Sequence, residues 1–206
     1  MLINFVKTGM IIHLWPMVIL GISCGEKLHS DPWNQSIVLP SGTAGEHFHA
    51  VIEIPAGESF QFYYNPLNET LDTLTENGGP ISLQYLPHPV NTGFIPATDP
   101  NSGKFMRIDV FVLARRLDPG KSYLVTPMAL MSFYEFGTSR EIVLAVPFEQ
   151  KYKLIPATSF QHLLFEYDPL KFAIQHWITY RRGLGSVHSF RWSDELVAGA
   201  FLRKNL

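Results

Sequence analysis

A single cysteine, Cys24, in 206 residues excludes any intrachain disulfide, so the core must stabilise itself. Charge of one sign is also missing: 16 Lys and Arg stand against 18 Asp and Glu, a formal net charge of −2. That leaves no basic field for DNA or RNA and no strong acidic field either, so no nucleic-acid partner is expected. GxSxG, a Walker loop, HExxH and GxGxxG are all absent, as are internal repeats and low-complexity tracts. The one long apolar run, Met10 to Ser23, is broken by Pro16 and falls short of the roughly 20 residues a membrane span needs. What remains, 46% hydrophobic and 17% charged residues, describes an ordinary folded chain with one substantial core.

The N-terminus is informative. Lys7 precedes the apolar run, and small residues follow it, the pattern of a secretory signal. Gly21-Ile22-Ser23-Cys24 resembles a bacterial lipobox, with Leu20 beside the position where leucine is usual. Residues 1–24 therefore read as a signal ending at a lipidated Cys24, 25–45 as a polar, proline-containing tether, and 46–206 as the folded domain. The expected location is exported and membrane-anchored through that lipid, in the periplasm or outer membrane. The alternatives are an uncleaved anchor, or a cytoplasmic chain whose start lies later.

Strand signals dominate the next hundred residues: His47–Ile54, Ser59–Tyr64, Ile81–Leu86, Arg107–Ala114, Ser122–Phe136 and Glu141–Val146. Asp118-Pro119-Gly120 fits a type II turn, and Gly137-Thr138-Ser139 suits a hairpin. After Pro156 the spacing turns helical, with Ser159–Tyr167, then Asp168 as N-cap and Pro169 as first residue of a helix to about Arg181. Ser193-Asp194-Glu195 opens a third helix of about ten residues with Arg203 and Lys204 at its end, matching the helix dipole. Strands first and helices last predict a mainly-β α+β fold, not a βαβ array.

Several side chains stand out. Asp109 lies within Ile108–Leu113, where both strand faces read as buried, so its carboxylate needs a cation, donors, a metal or a proton. Glu53 sits likewise between Ile52 and Ile54, and on neighbouring strands of a barrel the two could converge in one mouth. His47 and His49, two apart on a strand, could reach one metal, but no third ligand accompanies them. Asn68-Glu69-Thr70 is a glycosylation sequon of little meaning behind a bacterial-style signal. Arg181-Arg182 is either an anion clamp or a solvated pair matching a helix end.

An ordered set of motifs resembles the family I soluble inorganic pyrophosphatases. HAVIEIP (His49 to Pro55) is like the family's opening strand, and LPHPVNTGFIP (Leu86 to Pro96) is like its YPxNYGFIP. The likeness continues through Ile108 to Val112, Asp118-Pro119-Gly120, Ile142 to Pro147, and Trp177 to Gly185 before Trp192. It is collinear from about His47 to Asn205. The resemblance implies a closed five-stranded, OB-like β-barrel with flanking C-terminal helices. It also implies Mg²⁺ ions held by acids in the barrel mouth, diphosphate as substrate gripped by basic and tyrosine side chains, and the option of a homo-oligomer. In such a site metals generate hydroxide near neutral pH and offset the diphosphate's charge.

The chain departs from the family where that chemistry lives. The signature D-x-D-x-x-D reads Lys104-Phe105-Met106-Arg107-Ile108-Asp109, with Met106 at the position of the proton acceptor. The family's D-x(4)-D becomes Glu135 and Arg140, and the lysine two residues later becomes Ile142. KYEYD becomes Gln61-Phe62-Tyr63-Tyr64-Asn65, an expected arginine falls on Pro80 or Ile81, the second tyrosine of YPxNYG is Thr92, and YK becomes Arg181-Arg182. Metal ligands that match are Glu53, Asp109 and Glu135 alone; phosphate-binding candidates are Lys104, Arg140, Arg181 and Arg182. The expectation is a pyrophosphatase-family protein with lost or strongly reduced hydrolysis of diphosphate, no assignable catalytic base, weak or absent Mg²⁺, and a site for phosphate, diphosphate or another small anion. One alternative is a working Mg²⁺-dependent diphosphatase with a rearranged site, in which Asp99 replaces a lost ligand. Another is a non-catalytic structural or partner-binding lipoprotein, its mouth filled by Met106, Ile142 and Tyr63.

Overall fold

Alternation of apolar side chains builds the strands, and the helices follow them. The computed structural model describes residues 46–206 other than 66, 67, 69 and 99–101. The leader, Cys24, the tether, Asp99 and the sequon's Glu69 lie outside the described residues. The strands are β1 (Phe48–Ile54), β2 (Phe62–Asn65), β3 (Thr70–Thr73), β4 (Thr75–Glu76), β5 (Gly79–Pro80), β6 (Asn91–Thr98), β7 (Phe105–Val112), β8 (Ser122–Glu135), β9 (Thr138–Pro147) and β10 (Val187–Ser193). The helices are α1 (Phe160–Glu166), α2 (Asp168–Tyr180) and α3 (Glu195–Asn205). This is the mainly-β α+β arrangement expected.

Hydrogen bonding runs round a ring of five strands. β1 pairs with β6, β6 with β7, β7 in parallel with β9, β9 with β8, and the start of β8 with β1. β10 adds to the far half of β8, and β2–β3 and β4–β5 are separate hairpins. One long strand serves two neighbours in turn because β8 shifts register between Pro127 and Ala129, where Pro127 has no N–H to give a ladder. Gly93 is needed where β1 crosses closely: a Cβ there would lie 1.9 Å from the Val51 carbonyl oxygen. The tight β8–β9 turn places Phe136 and Gly137 at φ 50° and 79°, as a two-residue hairpin requires.

Inside the ring, Ala50, Ile52, Ile95, Ile108, Val110, Val112, Val125, Val143 and Ala145 form one core, and Ala198 and Leu202 of α3 pack against it. Outside, Phe111, Leu113, Met131, Phe133, Ile142 and Leu144 face Leu163 of α1 and Ile174, Trp177 and Ile178 of α2. Asn91, fully buried, ties the ring together. Its amide nitrogen donates to the carbonyls of Val112, Ala114 and Arg115, and its oxygen accepts from the N–H groups of Ala56 and Leu117.

Three sequence expectations change. Ile81–Leu86 is not a strand: only Ser82 bridges to Phe60, because Pro80, Pro87 and Pro89 crowd the segment. Asp168 is the first helical residue of α2, and Tyr167, without a side-chain cap, precedes it. The capping signals at Ser159, which accepts from the His162 N–H, and at Asp194, which accepts from those of Leu196 and Val197, act as expected. Asp109, read as buried, is exposed.

Candidate functional site

Strand parity aims the three acids at one side. Asp109 shares its face with Phe111, Glu135 with Phe133, and Glu53 with Val51, all of which pack outside the ring. The acids therefore lie on the outer face, not inside a mouth of the ring as the sequence suggested.

Glu53 is buried. Its Oε1 accepts from the Tyr64 N–H at 2.6 Å and its Oε2 accepts from Arg107 Nη2. The Arg107 guanidinium lies 4.0 Å from the Phe94 ring centre and 5.1 Å from that of Tyr63, a cation–π seat that fixes it. Arg107 holds a position that the family signature leaves unspecified, so the sequence reading passed over it.

Glu135 is buried at the end of β8, and three arginines converge on it: Arg181 at 3.0 Å, Arg182 at 3.5 Å and Arg140 at 3.8 Å. Arg181 leaves the end of α2 beneath Trp177, whose ring centre is 5.1 Å away. The Trp177 indole N–H donates to the Leu86 carbonyl, pinning the irregular 81–90 segment beside the site. Burial pulls Arg181 down from its ordinary pKa, opposed by the Glu135 carboxylate.

Asp109 reaches solvent yet is walled by protein. Lost hydration holds its carboxyl above the usual range, against the attraction of Arg107, Arg140 and Arg181. With Met106, Arg107, Ile108, Arg140, Glu141 and Phe201, Asp109 lines a cleft of about 230 Å³, to which Glu53, Glu135, Arg181 and Arg182 do not contribute. Met106 turns toward the ring interior, and Lys104 is exposed before β7, away from that lining. His47 bonds Thr126 Oγ and His49 bonds Ser122 Oγ. Among the described residues they belong to no metal-ligand group.

His88, from the motif beside this site, gives a pH test. Its ring lies tilted against Trp177, 4.6 Å between centres; Nε2 lies 3.3 Å from the Gln61 amide nitrogen and Nδ1 3.0 Å from Thr92 Oγ. Burial, helped by Arg181, pushes its pKa down to about 4 from 6.5. Between those values the unfolded chain binds the extra proton, so stability present above pH 6.5 is lost as pH falls toward 4. At roughly 1.4 kcal/mol per unit the loss amounts to about 3 kcal/mol. Urea unfolding at a series of pH values should show this acid limb in the wild type and a flatter one in His88→Gln.

No family model and no curated protein matches the sequence. Solved structures do. The chain is similar to the inorganic pyrophosphatase of Thermus thermophilus, with 25% identity over 80% of this chain and 92% of that one and a TM-score of 0.63. For the Neisseria gonorrhoeae enzyme the values are 19%, 82%, 94% and 0.61. For a Trypanosoma cruzi vacuolar soluble pyrophosphatase in complex with PPi they are 14%, 82%, 70% and 0.68. The chain has the inorganic pyrophosphatase fold.

Within that pyrophosphatase fold the residues present do not suit Mg²⁺. The ion wants about six oxygens in near-octahedral array. Here both Glu53 oxygens are engaged and Glu135 is surrounded by guanidiniums. With Glu141 of the cleft lining, four carboxylates (Glu53, Asp109, Glu135, Glu141) meet four guanidiniums (Arg107, Arg140, Arg181, Arg182), so the acids are balanced without a metal.

Proposed function

We propose that this pyrophosphatase-fold protein has lost effective diphosphate hydrolysis and binds a small oxyanion, phosphate or diphosphate, in the arginine-rich recess around Asp109. The observation that carries this reading is the engagement of both buried acids by guanidinium groups. Such a recess favours an anion over a cation. Arg140 and Arg182, each about half exposed and held only at the rim of Glu135, can swing onto a ligand. Lys104, exposed nearby in sequence, would add charge at the edge. The five-strand ring would be the closed barrel of the family. Export and lipid anchoring through Cys24 belong to the same proposal, and the mass of the mature N-terminus tests them.

Calorimetric titration with phosphate and diphosphate in chelator tests the anion site. Saturable binding is expected, reduced by Arg140→Ala and Arg182→Ala together. Absence of heat at millimolar ligand would rule the reading out.

A further inference from the structure

We infer that Arg107 stands in for a divalent cation, so that the recess selects an oxyanion free of metal and rejects its Mg²⁺ complex. This rests on the anion-binding reading above. Four features of the site support it.

The Arg107 guanidinium is immobilised. It pairs with Glu53, lies against Phe94 and Tyr63, and keeps Nη1 buried with no hydrogen-bond partner. A buried unpaired donor is a cost, so the group is held for its charge and place, not for a full set of bonds. Both Glu53 oxygens are thereby used, one by Arg107 and one by the Tyr64 N–H. A metal arriving there would have to displace the guanidinium from Glu53.

The second buried acid is compensated in the same way. Glu135 draws Arg181, itself mostly buried, and the two outer arginines. Of the three acids, Asp109 alone is left outside these ion pairs, and Arg107, Arg140 and Arg181 all act on it through space. One carboxylate can hold Mg²⁺ through a bound phosphate and waters. Here, however, the metal's two charges would enter a set whose carboxylates already have guanidinium partners or neighbours. A bare anion can instead draw on the half-exposed Arg140 and Arg182.

A metal-dependent site and this one therefore predict opposite effects of Mg²⁺. The full-length chain is titrated with diphosphate, first in chelator and then with enough Mg²⁺ to complex about nine-tenths of the ligand. Apparent affinity should fall about tenfold, the intrinsic constant being divided by the competent fraction. Equal or tighter binding with Mg²⁺ overturns the inference while leaving anion binding intact. No binding in either condition overturns the anion-binding reading instead, and Arg107 is then judged by metal alone. Mn²⁺ should leave the melting temperature of the wild type and of Arg107→Lys unchanged, and raise that of Arg107→Ser, in which Glu53 is freed. A Mn²⁺-induced rise in the wild type overturns the inference whether or not Arg107→Ser folds.

Discussion

Incubated with diphosphate and excess Mg²⁺, the chain should release orthophosphate no faster than buffer does. Two arguments from the proposed function lead to this result. On the resemblance to the pyrophosphatases the proton acceptor would fall on Met106, whose side chain packs toward the ring interior, and a missing general base alone costs about 10²–10⁴ in rate. Metal-assisted displacement also requires ions that make hydroxide and neutralise the diphosphate, and the carboxylates that would hold them are engaged by Arg107 and Arg181. Restoring an acid with Met106→Asp should therefore not restore activity by itself. A Mg²⁺-dependent release abolished by Asp109→Asn would revive the rival reading of a rearranged diphosphatase.

Arg107→Met should destabilise the fold by about 3–5 kcal/mol, the cost of leaving a buried carboxylate uncompensated. Glu53 has 9% of its side chain exposed and Arg107 22%, so screening by solvent is slight on the acid's side. The double variant Glu53→Gln/Arg107→Met should regain most of the loss, since the new amide oxygen can still accept from the Tyr64 N–H and no charge is stranded. Arg140→Met makes the contrast: half exposed and 3.8 Å from its partner, it should change stability by less than about 1 kcal/mol. Urea denaturation of the wild type, Glu53→Gln, Arg107→Met and the double variant closes the cycle; additive single and double effects would show that Glu53 and Arg107 are not coupled.

The sequence carried the site's address better than its content. Glu53, Asp109, Glu135, Arg140, Arg181 and Arg182 were all legible, because collinear motifs mark their places even where the residue type has changed. Arg107 was not, since importance at an unspecified position shows only when β7 aims it across β6 at Glu53. The side of the ring was lost for a related reason. Alternation separates two faces of a strand but does not say which one the ring encloses. β6 went unread because Gly93 and Pro96 weaken its strand pattern. The structure explains both residues: β1 approaches closely at Gly93, and the β1 ladder stops at Phe94, so Pro96 needs no N–H on that side. The reverse error, Ile81–Leu86, had alternation, but its pairing with residues 59–61 stops at a single bridge.

The pairing of β1 with both β6 and β8 bears on how the chain is made. β1 emerges from the ribosome early, yet its second partner, Ser122 to Val125, is translated about 70 residues later. Until then Phe48–Val51 presents open backbone on an apolar strand, a template for pairing with other nascent copies. Circular permutants that bring β8 next to β1 should therefore fold faster and aggregate less.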